Sequence, residues 1–234
     1  AYFLYEKEVK AIVHKTLLPT YDVFDEYRYF EPAYEWNIIE FKGKKLAVTI
    51  CEDIWNLGDN PLYRICPMDE LMKFNPDIML NLSASPFDYT HDEDRKAVIK
   101  SNVLKYKIPL FYCNAVGSQT EIVFDGASLV FDKHANLMKA FPLFEEAIDW
   151  VELDENGLMS GPILEPASRI PEKELNPATL EPQLNIEQVY QALVSGIRDY
   201  FGKMGFTKAI VGCSGGIDSA VTLAISCEAV GADN

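Results

Sequence analysis

The sequence predicts an α/β protein built as two unequal units, and three observations predict it. Apolar runs of strand length alternate with helix-period stretches over residues 1 to about 150. A stretch punctuated by Pro162, Pro166, Pro171, Pro177 and Pro182 follows. An amphipathic helix and a glycine turn then open a second unit.

Taken in order, Ala11-Ile12-Val13 is a short strand leading into a loop, Lys15 to Tyr34, rich in Pro, Tyr, Asp and Phe. Lys45 to Ile50 is an apolar run of buried-strand type. Met68 to Phe74 reads as a short helix that stops before Pro76, because the residue preceding a proline is biased away from helix. Asp77 to Leu82 is the next strand. Asp92 to Tyr106 is helical, with Ala97, Val98, Val103 and Leu104 as core contacts. Leu110 to Asn114 is a buried strand, and Ala127–Phe131 and Ala147–Leu153 extend the sheet. Residues 156–184 form a linker laid across a surface. In the second unit, Ile186, Val189, Leu193, Ile197 and Tyr200 recur at helical spacing, which predicts a helix over Glu187–Met204. Ala209-Ile210-Val211 is a strand, and Ala220 to Ile225 begins a helix.

The chain has 234 residues, 48% of them hydrophobic and 24% charged, a globular balance spread over one or two domains. Its formal net charge of −15 argues against a general binder of nucleic acid or anionic membrane, since both require a positive surface. A polyanionic ligand would have to be met by local donors. No apolar run spans a bilayer and no signal peptide opens the chain. Five scattered cysteines without a C-x-x-C pair argue against a disulfide framework or zinc site and fit a reducing cytoplasm. His14, His91 and His134 do not cluster. The chain starts without methionine and stops after the first helix of the second unit, so a longer natural chain is expected.

The run Val211 to Ala220, VGCSGGIDSA, carries the most chemistry. Glycines at a strand-to-helix junction permit a tight turn, and the helix start presents unpaired N–H groups suited to phosphate. Ser214 and Ser219 add hydroxyls, and Asp218 a carboxylate able to hold Mg²⁺. No lysine is present for a Walker loop, and the glycine spacing does not make a dinucleotide fingerprint. An ordinary glycine-rich turn is the plainer reading, but two adjacent glycines, two serines and an aspartate coinciding at one strand-to-helix junction argue against it. A second candidate is Cys51, just past the 45–50 strand and followed by Glu52-Asp53. A thiol at such a junction can serve as a nucleophile, although free cysteines are more often small core residues.

Three segments add to this: HKTLLPTYDVFDEYRYF (His14–Phe30), VTICEDIW (Val48–Trp55) and NLSASPF (Asn81–Phe87). Together they resemble the nitrilase (carbon–nitrogen hydrolase) family, and most closely the glutaminase domains of the glutamine-dependent NAD⁺ synthetase family. The S-G-G-x-D-S run resembles the pyrophosphate loop of the ATP pyrophosphatases, the synthetase half of that family. The resemblance implies a nitrilase-like α-β-β-α sandwich part over 1–155, a linker over 156–184, and over 185–234 the beginning of a doubly wound parallel α/β domain of adenine nucleotide alpha hydrolase type. It implies Cys51 as the nucleophile on the glutamine side-chain amide, Lys15 as the catalytic lysine, and Tyr21, Glu52 and Ser85 as glutamine-binding residues. Gly212, Ser214, Gly215, Gly216, Ile217, Asp218 and Ser219 would bind ATP, with Asp218 on Mg²⁺. The implied reaction adenylates deamido-NAD⁺ with ATP and amidates it with ammonia released at Cys51. A cytoplasmic homo-oligomer is the expected assembly.

The family's general-base glutamate lies well before its lysine. Only Glu6 and Glu8 precede Lys15, too closely to be that residue, so the chain alone is expected not to turn over glutamine. The family's basic residue six positions after the serine is His91 here, with Arg95 nearby. Two other readings are an ATP-pyrophosphatase amidotransferase making a different amide, and a non-catalytic oligomerisation or pseudoenzyme fragment. The nitrilase-type front end argues against the first, because the related GMP and asparagine synthetases use other glutaminase folds.

Overall fold

A computed structural model describes residues 1–58, 62–89, 91–154, 159–165 and 182–234, the side chains of 91–93 and 182–185 excepted. It is an α/β structure whose centre is a mixed six-stranded sheet. In chain order the strands are β1 (Tyr2–Tyr5), β2 (Glu8–Ile12), β3 (Ile39–Phe41), β4 (Lys44–Ile50), β5 (Ile78–Ser83), β6 (Leu110–Asn114), β7 (Val116–Gln119), β8 (Ile122–Asp125), β9 (Leu129–Phe131) and β10 (Leu137–Ala140). The helices are α1 (Pro67–Met72), α2 (His91–Tyr106), α3 (Pro182–Met204) and α4 (Ile217–Val230).

The sheet order is β10-β9-β6-β5-β4-β3. Strands β4, β5 and β6 run parallel, in the register Thr49–Asn81–Tyr112. The outer strands pair antiparallel. The apolar runs that mark β4 to β6 fit a parallel core, with Met79, Leu110 and Tyr112 buried on the helix side and Leu80 and Phe111 half-buried on the other.

One face carries α1 and α2. Met68 and Leu71 from α1 and Ile99, Val103 and Tyr106 from α2 pack on Ala47, Met79, Leu110, Leu129 and Phe131. Burying each large aliphatic side chain contributes roughly 1.5–3 kcal/mol, so this layer fixes the strand ends firmly. On the other face, Ile39, Leu46 and Val48 meet Phe3, Ala11 and Val13 of the β1–β2 hairpin and the segment after it. The arrangement is a helix layer on a sheet with a small hairpin behind.

Several expectations change. Strand Ala147–Leu153 is absent: Ile148 is 98% and Trp150 80% exposed, and only an isolated Leu153–Met159 bridge forms. An apolar run without a neighbour to complete its ladder does not become a strand. Ala209-Ile210-Val211 fails for the same reason, so the second unit has no strand among the described residues, and the one strand expected to begin its sheet does not form. The predicted linker lies largely outside the described residues. Its described part lies beside β10, where Leu137 N donates to Glu165 O at 2.8 Å.

Helix α3 forms, but its expected apolar stripe is not its buried face. Ile186, Leu193 and Tyr200 are exposed, while Ala192 and Val194 are buried. The helix packs instead on α4 and on the β7–β8 hairpin. Ser118 N donates to Asp199 Oδ2 at 2.6 Å, and Lys203 Nζ donates to Ser118 O. Gly117, at φ +115°, leaves room for Asp199, whose carboxylate would lie 2.8 Å from any Cβ there. Helical periodicity identified an element; which face is covered depends on the partner.

Candidate active site

The parallel strands β4 and β5 end side by side, and the crevice beyond the carboxyl ends of such strands is where α/β sheets present chemistry. Cys51 is the first residue past β4. It sits at φ +47°, a left-handed conformation that costs a non-glycine residue about 1–3 kcal/mol and turns its side chain out of the strand. A short 3-10 turn, Cys51–Ile54, follows. Two amides hold the elbow from below. Asn81 Nδ2 donates to Thr49 Oγ1 at 3.0 Å and to Cys51 O at 3.3 Å, and Asn102 Nδ2 donates to Ile54 O at 2.8 Å.

The thiol is partly buried. Burial pushes its pKa up; the Lys15 ammonium is the largest opposing influence, followed by the Ala84 backbone and the Ser83 hydroxyl. Cys51 and Lys15 thus share one site although 36 positions separate them in the chain. Lys15 is held by Glu26, which accepts from Nζ at 2.7 and 2.6 Å through its two oxygens. The pair is mostly shielded from water, with side chains 13% and 25% exposed. The sequence reading did not single out Glu26. Its only signal was its place in the same acidic loop, eleven residues past Lys15. Glu6 lies in the exposed β1–β2 turn and Glu8 pairs with Lys10, so neither joins this cluster.

Glu52 is 5% exposed and accepts from Tyr21 Oη at 2.9 Å and from Tyr63 Oη at 2.8 Å. Burial and then the Glu52 carboxylate hold both phenols above their ordinary pKa. Tyr63, outside every segment that carried the resemblance, is a second unanticipated member. Ser85 is buried, with its N–H donating to Asn114 Oδ1 at 2.8 Å and its carbonyl accepting from Asn114 Nδ2 at 3.2 Å. Arg95 does not line the site. It is 1% exposed and forms a two-pronged ion pair with Asp125 at 2.9 and 2.8 Å. The His91 side chain lies outside the described residues.

The second cluster is exposed. Gly216 caps α4 and Gly215 adopts φ +89°, which only glycine takes without strain. Ser219 Oγ accepts from Ser214 N at 3.2 Å, donates to Gly216 O at 3.0 Å and lies 3.2 Å from Ser214 Oγ. Gly212, Ser214, Gly215, Gly216, Ile217, Asp218 and Ser219 are therefore neighbours on one loop and first turn, where backbone N–H groups lack intrahelical partners. Asp218 is exposed in that first turn. No group of three or more His, Cys, Asp or Glu side chains able to hold a metal occurs among the described residues. A lone carboxylate fits Mg²⁺ only where phosphate oxygens complete the shell, which is how Mg²⁺ is commonly held. All five cysteines are free. No helix among the described residues is long and apolar enough to cross a membrane.

An α/β chain with a cysteine–lysine pair at its strand ends and a glycine–serine loop at a helix start has close counterparts among known proteins. The family model described as NAD synthase matches residues 189–234. The chain is 37% identical to a glutamine-dependent NAD(+) synthetase of Synechocystis sp., over 100% of this chain and 40% of that protein. It is 35% identical to the Thermotoga maritima protein of the same name, over 97% of this chain and 42% of that one. The solved structure of glutamine-dependent NAD⁺ synthetase from Acinetobacter baumannii in complex with ADP superposes with a TM-score of 0.81 at 32% identity, covering 99% of this chain and 40% of that one. The chain is thus a relative of the glutamine-dependent NAD⁺ synthetases and spans about two fifths of their length.

Proposed function

We propose that this chain carries the nucleophile of a nitrilase-type glutaminase and the ATP loop of the synthetase it supplies, within a glutamine-dependent NAD⁺ synthetase. Residues 1–155 are part of an α-β-β-α sandwich, 156–184 a linker, and 185–234 the start of the doubly wound synthetase domain. The observation that carries this reading is the Cys51 elbow beside the Lys15 ammonium, on a chain whose other unit holds a serine-braced glycine loop.

In this reading the Cys51 sulfur adds to the side-chain amide carbon of glutamine. Lys15 faces the oxygen that gains charge in the tetrahedral intermediate; one such donor is worth about 10²–10³ in rate. Glu26 keeps Lys15 oriented, because both of its carboxylate oxygens accept from Nζ in charge-assisted hydrogen bonds. Collapse of the intermediate breaks the carbon–nitrogen bond as the proton given up by the thiol passes to the leaving nitrogen, releasing ammonia, and water then hydrolyses the thioester to glutamate and restores the thiol. Tyr21 and Tyr63 fix Glu52 as an anionic contact for the substrate's α-ammonium, and Ser85 lies at the same end. At the second station the loop amides and the Ser214 and Ser219 hydroxyls bind the ATP phosphates. Mg²⁺, held by Asp218 together with phosphate oxygens, would neutralise charge on the leaving pyrophosphate. Ammonia attacks the adenylated carboxyl carbon of deamido-NAD⁺, expelling AMP and leaving the amide.

The test is Cys51→Ala in the full-length protein. Glutamine-supported NAD⁺ formation falls below detection, while ammonia-supported formation stays within about twofold of wild type. Loss of both, or retention of both, rejects the assignment of Cys51.

A further inference from the structure

We infer that Asp53 is a positioning residue for the Cys51–Lys15 pair, one buried carboxylate that binds the Lys15 segment to the Cys51 elbow; the inference rests on the glutaminase reading above. Asp53 is 2% exposed. Its Oδ1 accepts from Thr16 N at 3.0 Å and from Leu17 N at 2.8 Å, and its Oδ2 accepts from Ile50 N at 3.0 Å. Thr16 and Leu17 directly follow Lys15, and Ile50 directly precedes Cys51. Capping the turn that begins at Cys51 requires only the Ile50 bond. The other two amides come from 36 and 37 positions away and have no part in that turn.

The bonds act on a segment fixed elsewhere too. Ala33 N donates to Lys15 O at 2.9 Å, and Trp36 Nε1 donates to Thr16 Oγ1 at 3.0 Å. Glu26 holds the tip of Lys15, while Asp53 holds the backbone from which it projects. A charged acceptor forms shorter and stronger bonds to N–H groups than a neutral one. Asparagine in its place has one accepting oxygen and turns an N–H₂ group toward an amide N–H. It can serve the Ile50 side or the Thr16–Leu17 side, but not both. Asp53 does not contact the reacting atoms; it sets the distance between two groups that do.

The experiment uses Asp53→Asn in the full-length protein, with Cys51→Ala as control. Glutamine-supported kcat falls about 10²-fold, the scale of an ångström-level misplacement, with the glutamine KM changed by less than about threefold. Ammonia-supported NAD⁺ formation is unchanged. Iodoacetamide alkylation of Cys51, followed against pH, shifts its midpoint upward because the Lys15 cation no longer sits firmly beside the thiol. Wild-type kcat with an unmoved alkylation profile overturns the inference, as does equal loss of ammonia-supported activity, which would mark a general folding role. In the wild-type protein, the Thr16 and Leu17 amides are strongly protected from hydrogen exchange; rapid exchange of both overturns the inference without any variant. If Cys51→Ala retains glutamine use, the glutaminase reading fails, while the alkylation and exchange readouts still test Asp53.

Discussion

The surroundings of Cys51 and the glycine loop are built in opposite ways. Around Cys51, the groups that matter come from the Lys15–Glu26 loop, β4, the end of β5, α2 and the Tyr63 segment, and most are buried. Around Gly215, the hydrogen bonds made by the Ser214 and Ser219 side chains join residues within five positions of one another, and nearly all of these residues are exposed. A reactive thiol needs a set of charges held at fixed distances and sheltered from water, which only long-range packing supplies. A polyphosphate cradle needs backbone donors and a helix start, which a short sequence folds by itself.

The contrast breaks first at the buried end. Asp125→Ala leaves the Arg95 guanidinium without its two-pronged partner and removes an acceptor from Asn114, which holds Ser85. Removing one partner of such a pair costs about 3–5 kcal/mol. A urea melt of the full-length protein should show that loss, and a cost below about 1 kcal/mol would show that the pair does not order this side of the site.

Asp53 sharpens the comparison through pH. Burial pushes its carboxyl up to about 6, against the opposing pull of the Leu17, Ile50 and Thr16 amides and Lys15. The folded chain therefore binds this proton more tightly than the unfolded chain does. That contribution to stability is fully present below the unfolded value near 4 and is lost as pH rises through about 6, a change of about 3 kcal/mol. Urea melts of wild type and Asp53→Asn at pH 4 and pH 7 isolate it. The stability of wild type relative to the variant should fall from pH 4 to pH 7. A rise would mean that the three amides outweigh burial.

The smallest expected effect on stability lies in the exposed loop. Ser219→Ala removes bonds that water can replace, so the melt should move by no more than about 0.5 kcal/mol. The same change loosens the cradle and should raise the KM for ATP about fivefold, the scale of one hydrogen bond. A large stability loss there would end the distinction between the two regions.

How much was legible follows the same divide. The Gly212–Ser219 loop could be read directly, because its residue types and spacing are also its geometry. Strands β4, β5 and β6 were legible because buried parallel strands are continuously apolar. Strands β1, β3 and β10 and the β7–β8 hairpin were not, since runs of three or four residues are too short to show a periodicity. Lys15, Tyr21, Glu52 and Ser85 could be named only through a resemblance; their residue types alone read as surface or loop. Glu26 and Tyr63 escaped, and Asp53 was noted only as half of the acidic pair after Cys51, because an acidic or tyrosyl side chain in a loop gives no sign of what it will face.

By itself, the sequence determined the α/β class, the parallel core and the glycine–serine loop at the start of α4, since apolar periodicity and glycine chemistry act over a few residues. Only the tertiary structure decided that Lys15, Glu26, Asp53, Tyr63 and Cys51 form one cluster, which face of α3 is covered, and that Arg95 turns inward to Asp125. Those outcomes depend on contacts between residues far apart in the chain, where electrostatics and burial choose partners that no local pattern encodes.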